Sequence, residues 1–169
     1  MAAVARHPAF AGPIVAAGYA PCMAKDPTPN TRSEHDCRAL IGWAVACAER
    51  VLPLFEQANP ADRRPREALD GALAFSRGEL RVGAARELAF ACHAAAREAG
   101  TPAATAAARA CGHAVSVAHM ASHARGVTLY ALKAVALAHP GDADAAAGEE
   151  AWHRAHVPER FRTFVYPED

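Results

Sequence analysis

The run of residues 103–139 constrains the fold more than any other part of this chain, because it is too apolar to face water. Its only charged residues are Arg109, Arg125 and Lys133. It has no internal proline, Thr101-Pro102 forms a helix start, and Pro140-Gly141 forms a stop. A single helix over this run would be about 55 Å long, too long for a domain of this size. We therefore predict two helices joined by a bend at Ala124–Gly126, both apolar almost all round and central in a bundle.

The remaining sequence divides into further helices, recognised from apolar residues at three- and four-residue spacing. A helix from Glu34 to about Ala58 follows an N-cap at Ser33, and Pro53 is expected to kink or break it because proline lacks an N–H. Other helices are predicted over 65–76, 82–99 and 142–156. Thr163–Tyr166 is a weak strand candidate. The predicted fold class is all-α, a single-domain bundle of about six helices.

The two ends of the chain differ in composition from this helical body. Residues 1–32 are interrupted by proline and glycine, and we expect an irregular arm lying on the bundle. Phe10–Ala20 is a weak alternative candidate for a signal-peptide core, although Pro13 interrupts its apolar run. The helical domain is predicted at 33–162, followed by a tail at 163–169 whose aromatic side chains dock on the bundle.

The charge balance of the chain excludes two classes of partner, and its cysteines indicate a compartment. The chain has 18 Lys and Arg against 18 Asp and Glu, so its formal net charge is zero. Without a basic excess, neither nucleic acid nor an anionic membrane surface is an expected ligand. The five cysteines are odd in number and form no C-x-x-C pair. This pattern indicates a reducing compartment, and we predict a cytoplasmic protein.

A set of histidines is the sharpest candidate for chemistry. His119 and His123 are four residues apart on a predicted helix, so they share a face and could hold a metal ion. His113 is six residues before His119, about 120° around the axis, and is expected to point elsewhere. A third ligand would have to come from another helix, with His93 as the candidate. The alternative is that these histidines are partly buried and bond backbone carbonyls near the bend.

No catalytic site is assembled in the sequence. It has no G-x-S-x-G motif, no P-loop and no G-x-G-x-x-G motif, and we predict no cofactor. Glu150 and His153 have the spacing of half a carboxylate-bridged di-iron site, but the other half is missing, which favours a solvated pair. We therefore predict a protein that is not an enzyme.

The densely charged turn from Asp62 to Glu67 is the candidate partner surface. Arg64 and Arg66 could form bidentate contacts of the kind that dominate many protein interfaces. The alternative is that the turn is a solvated helix start.

Several segments resemble one family over about residues 36–162. The most specific are the run WAVACAERVLPLFE from Trp43 to Glu56 and the turn Arg64-Pro65-Arg66-Glu67. With Gly112-His113-Ala114 and Tyr130-Ala131, they resemble bacterial immunity proteins of the Imm5-like group. The resemblance implies an all-α, non-catalytic protein that neutralises a cognate protein toxin, from the same cell or a neighbour, by direct binding.

Two other interpretations stay open. The first is a helical metal-binding protein or metal-dependent enzyme that uses His119, His123 and His93. The second is a structural homodimer whose alanine-rich faces pack across a two-fold axis. The first requires His93 to lie beside the other two histidines, and the mass in solution decides the second.

Overall fold

The computed structural model describes residues 32–167, which form seven α-helices and one 3-10 helix and contain no strand. The α-helices are α1 (Glu34–Ala58), α2 (Arg64–Ser76), α3 (Val82–Glu98), α4 (Pro102–Ser116), α5 (His123–Ala138), α6 (Ala143–His156) and α7 (Arg162–Val165), and the 3-10 helix is Glu159–Phe161. The all-α prediction is confirmed. The predicted arm, except Arg32, lies outside the described residues, as do residues 168–169 of the predicted tail. None of the helices in this range combines the length and apolar character that a membrane span requires.

The first helix starts where the sequence predicts, and it does not break at its proline. Ser33 Oγ accepts a hydrogen bond from the backbone N–H of Asp36 at 3.1 Å, which caps the helix. The predicted kink or break at Pro53 did not interrupt α1, which continues to Ala58. Pro53 and Glu49, whose carbonyl loses its partner, are exposed, so water can satisfy that carbonyl. Phe55 is fully buried and holds the last turns against the core.

The fourth helix lies at the centre of the bundle and contacts α1, α2, α3 and α5. Ten of its 15 residues are buried, and most of these are alanines. Because the distance between helix axes depends on the side chains at the contact, small residues allow the neighbouring helices to approach closely. The fifth helix packs along α4 and also contacts α1 and α6, while its outer side carries exposed Leu129 and Leu137. Hence α4 is mostly buried, and α5 has an open face.

The connection between α4 and α5 lies earlier in the chain than the sequence predicts. Residues 117–122 form the turn, so the predicted bend at Ala124–Gly126 is wrong. The chain tightens after Ser116 through short-range hydrogen bonds, such as that from the N–H of Ala118 to the carbonyl of Val115 at 3.2 Å. Gly126, the residue that suggests the bend, lies inside α5, where its missing side chain makes room for a ring from α4.

The C-terminal segment closes the bundle with apolar side chains. Phe161, Phe164 and Val165 are buried, which confirms the predicted docking of this segment. The weak strand candidate Thr163–Tyr166 is wrong, because Arg162–Val165 is helical. A strand here would need a partner strand, and residues 32–167 supply none.

Candidate functional site

Four histidines from separate segments meet on one side of the bundle, and we call them the histidine cluster. His93 lies on α3, His113 on α4, His119 in the turn after α4, and His123 at the first residue of α5. Ring centroids lie 5.4 Å apart for His93 and His113. They lie 5.1 Å apart for His113 and His123, and 5.0 Å apart for His119 and His123. The Nδ1 atoms of His113 and His123 are 3.0 Å apart.

His113 joins the two halves of this cluster, so the expectation that it points elsewhere is wrong. That expectation assumed one continuous helix through His119, but α4 ends at Ser116. Beyond that residue, a rotation of 100° per residue no longer sets the direction of a side chain. His93 lies beside His119 and His123, as the metal interpretation requires, since these three residues line one pocket of about 200 Å³.

Two glycines make room for the cluster. A Cβ atom on Gly112 would lie 2.5 Å from Cε1 of His93, and a Cβ atom on Gly126 would lie 2.5 Å from Nδ1 of His113. Glycine in a helix interior is about 1 kcal/mol less favourable than alanine. Both glycines lie in alanine-rich helices, where alanine would favour the helix more. Glycine therefore occurs at the two positions where an imidazole of the preceding helix lies against the backbone.

The two rings at the middle of the cluster are held neutral. Burial, and then the charges of His123 and His93, lower the pKa of His113 to about 4. Burial, and then the charges of His119 and His93, lower the pKa of His123 to about 4. With both rings neutral near pH 7, the 3.0 Å contact between their Nδ1 atoms is a hydrogen bond in which one ring donates and the other accepts.

The pKa values of the two outer members of the cluster, His93 and His119, are also lowered. Burial lowers the pKa of His93, and the nearby guanidinium groups of Arg109 and Arg97 lower it further. Burial and the charge of Arg86 lower the pKa of His119. The cluster therefore consists of neutral imidazoles beneath a rim of arginines.

The ring nitrogens of the cluster do not converge on a common point. Among residues 32–167, no group of three or more His, Cys, Asp or Glu side chains is arranged to hold a metal ion. Nδ1 of His113 and Nδ1 of His123 bond each other, and Nδ1 of His93 is buried without a hydrogen-bond partner in the described structure. Binding of a metal ion by three of these residues would require their side chains to leave this arrangement.

Tyr130 of α5 connects the cluster to the outer surface of α4 and α5. Its ring stacks on His113, with centroids 5.1 Å apart and an interplanar angle of 18°. The guanidinium of Arg109 lies 5.8 Å from the centroid of Tyr130. The histidine cluster and this outer surface therefore form one continuous region.

Asp62 and Arg64, in the first half of the Asp62–Glu67 turn, are paired within the chain. Arg64 forms ion pairs with Asp62 and with Glu98 of α3, each at 2.6 Å. Hydrogen bonds from Arg64 lower the pKa of Asp62. Arg64 therefore links the start of α2 to the end of α3.

The second half of the turn is partly paired. Arg66 contacts Glu56 of α1 at 2.9 Å, whereas Glu67 is exposed. Arg66 and Asp62 also line a surface depression of about 370 Å³. Both arginines predicted to contact a partner thus join helices of this chain, so a partner would have to bind over ion pairs that already exist.

A partly buried ion-pair network ties α6 to α1, and sequence reasoning missed it. Nε and Nη2 of Arg50 each donate to the Glu149 carboxylate at 2.8 Å. Nε2 of His153 lies 3.0 Å from the same carboxylate, and the indole of Trp43 donates to the carbonyl of His153 at 3.1 Å. Burial alone would raise the pKa of Glu149, but hydrogen bonds from His153 and Arg50 outweigh it, and the pKa is lowered to about 2.

The predicted solvated pair of Glu150 and His153 is therefore wrong. His153 is fully buried, and its partner is Glu149, one turn earlier on α6. Glu150 instead pairs with Arg154 at the surface, at 3.0 Å.

The cysteines of the described residues are not poised for nucleophilic chemistry. Cys37, Cys47, Cys92 and Cys111 are free and buried. Burial raises the pKa of each of these thiols, and that of Cys92 rises to about 12. The thiolate is the reactive form, so these side chains act as small apolar residues of the core.

By its fold, the protein is an all-α helical domain. Its candidate site combines the neutral imidazoles of the histidine cluster with the cationic side chains of α4 and α5. Residues 30–160 match the family model described as "Imm-5 like putative immunity protein". The chain belongs to this Imm5-like immunity protein family, which confirms the resemblance seen in the sequence. Comparisons with curated proteins and with solved structures gave no match.

Proposed function

We propose that this chain is an immunity protein that neutralises a cognate protein toxin by direct, non-catalytic binding. The observation that carries the proposal is the family match over residues 30–160. That range covers α1 to α6, so the proposal concerns the whole helical body and not a single loop.

The chemistry of the described residues supports binding over catalysis. The thiols are buried, and the strongest carboxylate network, around Glu149, lies between α1 and α6 and is already satisfied. Free thiols inside the helices also suit a reducing compartment, which supports the proposal that the protein acts in the cytoplasm.

The Asp62–Glu67 turn stays a predicted part of the partner surface. Arg64 bonds Glu98, four residues before the start of α4 at Pro102, so the turn lies at the end of the bundle where α4 begins. Charge reversal of Arg64 and Arg66 should weaken toxin binding if the turn takes part. Thermal unfolding of the same variant must be measured, because both side chains also join helices.

Co-purification tests the proposed function. The probe is the protein encoded by the reading frame adjacent to that of this chain, with its toxic activity disabled by substitution. Mixed with this chain, it should elute from a sizing column as one complex of fixed stoichiometry, with the mass of both components unchanged. Separate elution at micromolar concentrations, together with unprotected cells on co-expression of the active toxin, would contradict the proposal. The free chain in the same experiment gives the mass that tests the homodimer alternative.

A second candidate function is metal binding by His93, His119 and His123, favoured by their position around one pocket. Elemental analysis of untagged protein tests it, with His119→Ala/His123→Ala as the comparison. Near-stoichiometric zinc, iron or nickel that disappears in the variant would support this function. Metal-free protein that still binds the toxin would leave the histidines with a structural role.

A further inference from the structure

A groove on the open face of α5 runs between α4 and α5, and we call it the α4–α5 groove. Its walls include Pro102 and Arg109 from α4 and Tyr130, Lys133 and Leu137 from α5. Its volume is about 570 Å³, larger than the pocket beside the histidine cluster. A groove of this size can accept side chains of another protein.

The charge of this groove has one sign, although the net charge of the chain is zero. Residues 99–141, which include all of α4 and α5, contain no Asp or Glu. Lys133 is exposed, and neither Lys133 nor Arg109 forms an ion pair with any residue in the described range 32–167. The positive end of the α4 helix dipole lies at Pro102, in the wall of the same groove. A carboxylate placed there would meet unpaired cations.

The groove also presents apolar surface next to these cations. Leu137, in the wall of the groove, is 42% exposed, and Pro102 in the same wall is exposed as well. Tyr130 is held in place by its stack on His113 and by Arg109 over its ring, so it is ordered before any partner arrives. An ordered aromatic residue beside cations and an exposed leucine is a typical centre of a protein interface.

We propose that the α4–α5 groove is where the toxin docks, and that it receives an acidic segment of the toxin. A carboxylate of that segment lies between Arg109 and Lys133, and an apolar side chain next to it covers Leu137. This inference rests on the proposed function and adds the place and the chemistry of the contact. The groove wall at Pro102 and the Arg64–Glu98 ion pair both lie near the junction of α3 and α4.

Two other occupants fit the groove less well. Nucleic-acid affinity comes mainly from many contacts between cations and phosphates, and this groove offers two side-chain cations beside apolar surface. A second copy of this chain would have to present exposed carboxylates such as Glu67 or Asp70. It has fewer of them than its composition suggests, because Glu56, Asp62, Glu98 and Glu149 are paired within the chain. Each of these occupants is an outcome of the test below.

Zero-length crosslinking tests the proposal, because the chain has only two lysines, Lys25 and Lys133. A carbodiimide joins a lysine amine to a carboxylate only when the two are in contact. In the complex with the disabled toxin, peptide mapping should find Lys133 joined to an Asp or Glu of the toxin. Lys133→Arg should keep binding but lose this crosslink, and Lys25→Arg should keep both. A complex without any crosslink at Lys133 would overturn the proposal and leave the proposed function intact.

Charge reversal gives an independent readout by calorimetry with the same disabled toxin. Lys133→Glu should weaken binding at least tenfold, and Lys133→Gln should weaken it less. Arg81→Glu is the matched control: Arg81 is exposed and lies at the opposite end of α3 from Glu98, about 25 Å away. It should change affinity less than twofold.

Three results would overturn the groove as the toxin site. The first is an equal loss of toxin affinity in Lys133→Glu and Arg81→Glu. The second is tight binding of a 20-nucleotide DNA that Lys133→Glu abolishes. The third is a dimer of this chain that Lys133→Glu dissociates. Absence of any complex with the wild-type chain would overturn the proposed function as well.

Discussion

The Nδ1 atoms of His113 and His123 lie 3.0 Å apart, a contact that two protonated imidazoles could not make. The two residues come from different helices, α4 and α5, so their hydrogen bond joins the two helices that form the α4–α5 groove. Tyr130, in the wall of that groove, stacks on His113. The protonation state of the pair therefore bears on stability and on the shape of the groove.

Acid should destabilise the protein in the range where these histidines titrate. The pKa values of His113 and His123 are about 4 in the folded chain and about 6.5 in an unfolded one. Between pH 6.5 and 4 the unfolded state binds more protons, so the free energy of unfolding rises with pH over that window. We expect a loss of about 2 kcal/mol between pH 7 and pH 4.5, discounted for the partial exposure of the rings.

Urea unfolding at several pH values measures this effect. His123→Gln should flatten the dependence, whereas His139→Gln, at an exposed histidine outside the cluster, should leave it as in the wild type. Glu149 does not contribute to the change in unfolding free energy between pH 7 and pH 4.5. Its pKa is lowered to about 2, so its stabilising effect is lost only as the pH falls from its ordinary pKa toward 2. An unfolding free energy that stays constant from pH 7 to pH 4.5 would contradict this description of the cluster.

Alanine at Gly126 should destabilise the protein, against the usual trend for helix interiors. Its Cβ would meet Nδ1 of His113 at 2.5 Å, so the ring must move and lose its hydrogen bond to His123. We expect a loss of about 2 kcal/mol, since overpacking typically costs 1–3 kcal/mol. Thermal unfolding monitored by circular dichroism measures the change.

Gly148 provides the control, because it lies inside α6 and a Cβ there would have no atom within 4 Å. Gly148→Ala should stabilise the protein by about 0.5–1 kcal/mol. In a His113→Ala background, Gly126→Ala should no longer destabilise the protein, because no ring is left to displace. Stabilisation by Gly126→Ala would show that the ring of His113 does not lie against this backbone.

Glu149→Gln should destabilise the protein more than the same change at its neighbour. The side chain of Glu149 is 8% exposed, and the change removes the ionic partner of Arg50 and leaves one carboxamide oxygen where Arg50 and His153 share two carboxylate oxygens. Removing one member of a buried pair costs about 3–5 kcal/mol, and we expect about 2–3 kcal/mol because Arg50 is partly exposed. Glu150→Gln, in the surface pair with Arg154, should cost less than about 0.5 kcal/mol. Similar losses in the two variants, measured by urea unfolding, would contradict a buried role for Glu149.

The helices could be predicted from the sequence because their signals are local. Ser33, Thr101 and Asp142 are N-caps in the structure, and the apolar stripe of α1 is the face that it buries. The bend after α4 could not be placed, because Gly126 has the signature of a helix break but serves to seat a ring. The helix α1 continues past Pro53 because apolar residues on its other side, such as Leu52 and Phe55, are buried in the core. That burial is a property of the tertiary structure.

The histidine cluster could be predicted in part. His93, His119 and His123 do line one pocket. The sequence does not predict that His113 joins them, because α4 ends at Ser116 and not beyond His119. Gly112 and Gly126 were an available signal, since glycines inside alanine-rich helices indicate that another group approaches the backbone. The pair of Arg50 and Glu149 had no local signal, because 99 positions separate the two residues.

Titration of toxin activity with the purified chain tests the central claim most directly. The active protein from the adjacent reading frame is held at a fixed concentration well above the dissociation constant, and its own activity is assayed as this chain is added. Neutralisation by binding predicts a linear fall that reaches zero at a fixed molar ratio. Complete inactivation by a small fraction of one equivalent would show that the chain acts catalytically. Full activity at a large excess of the chain would show that it does not neutralise this toxin.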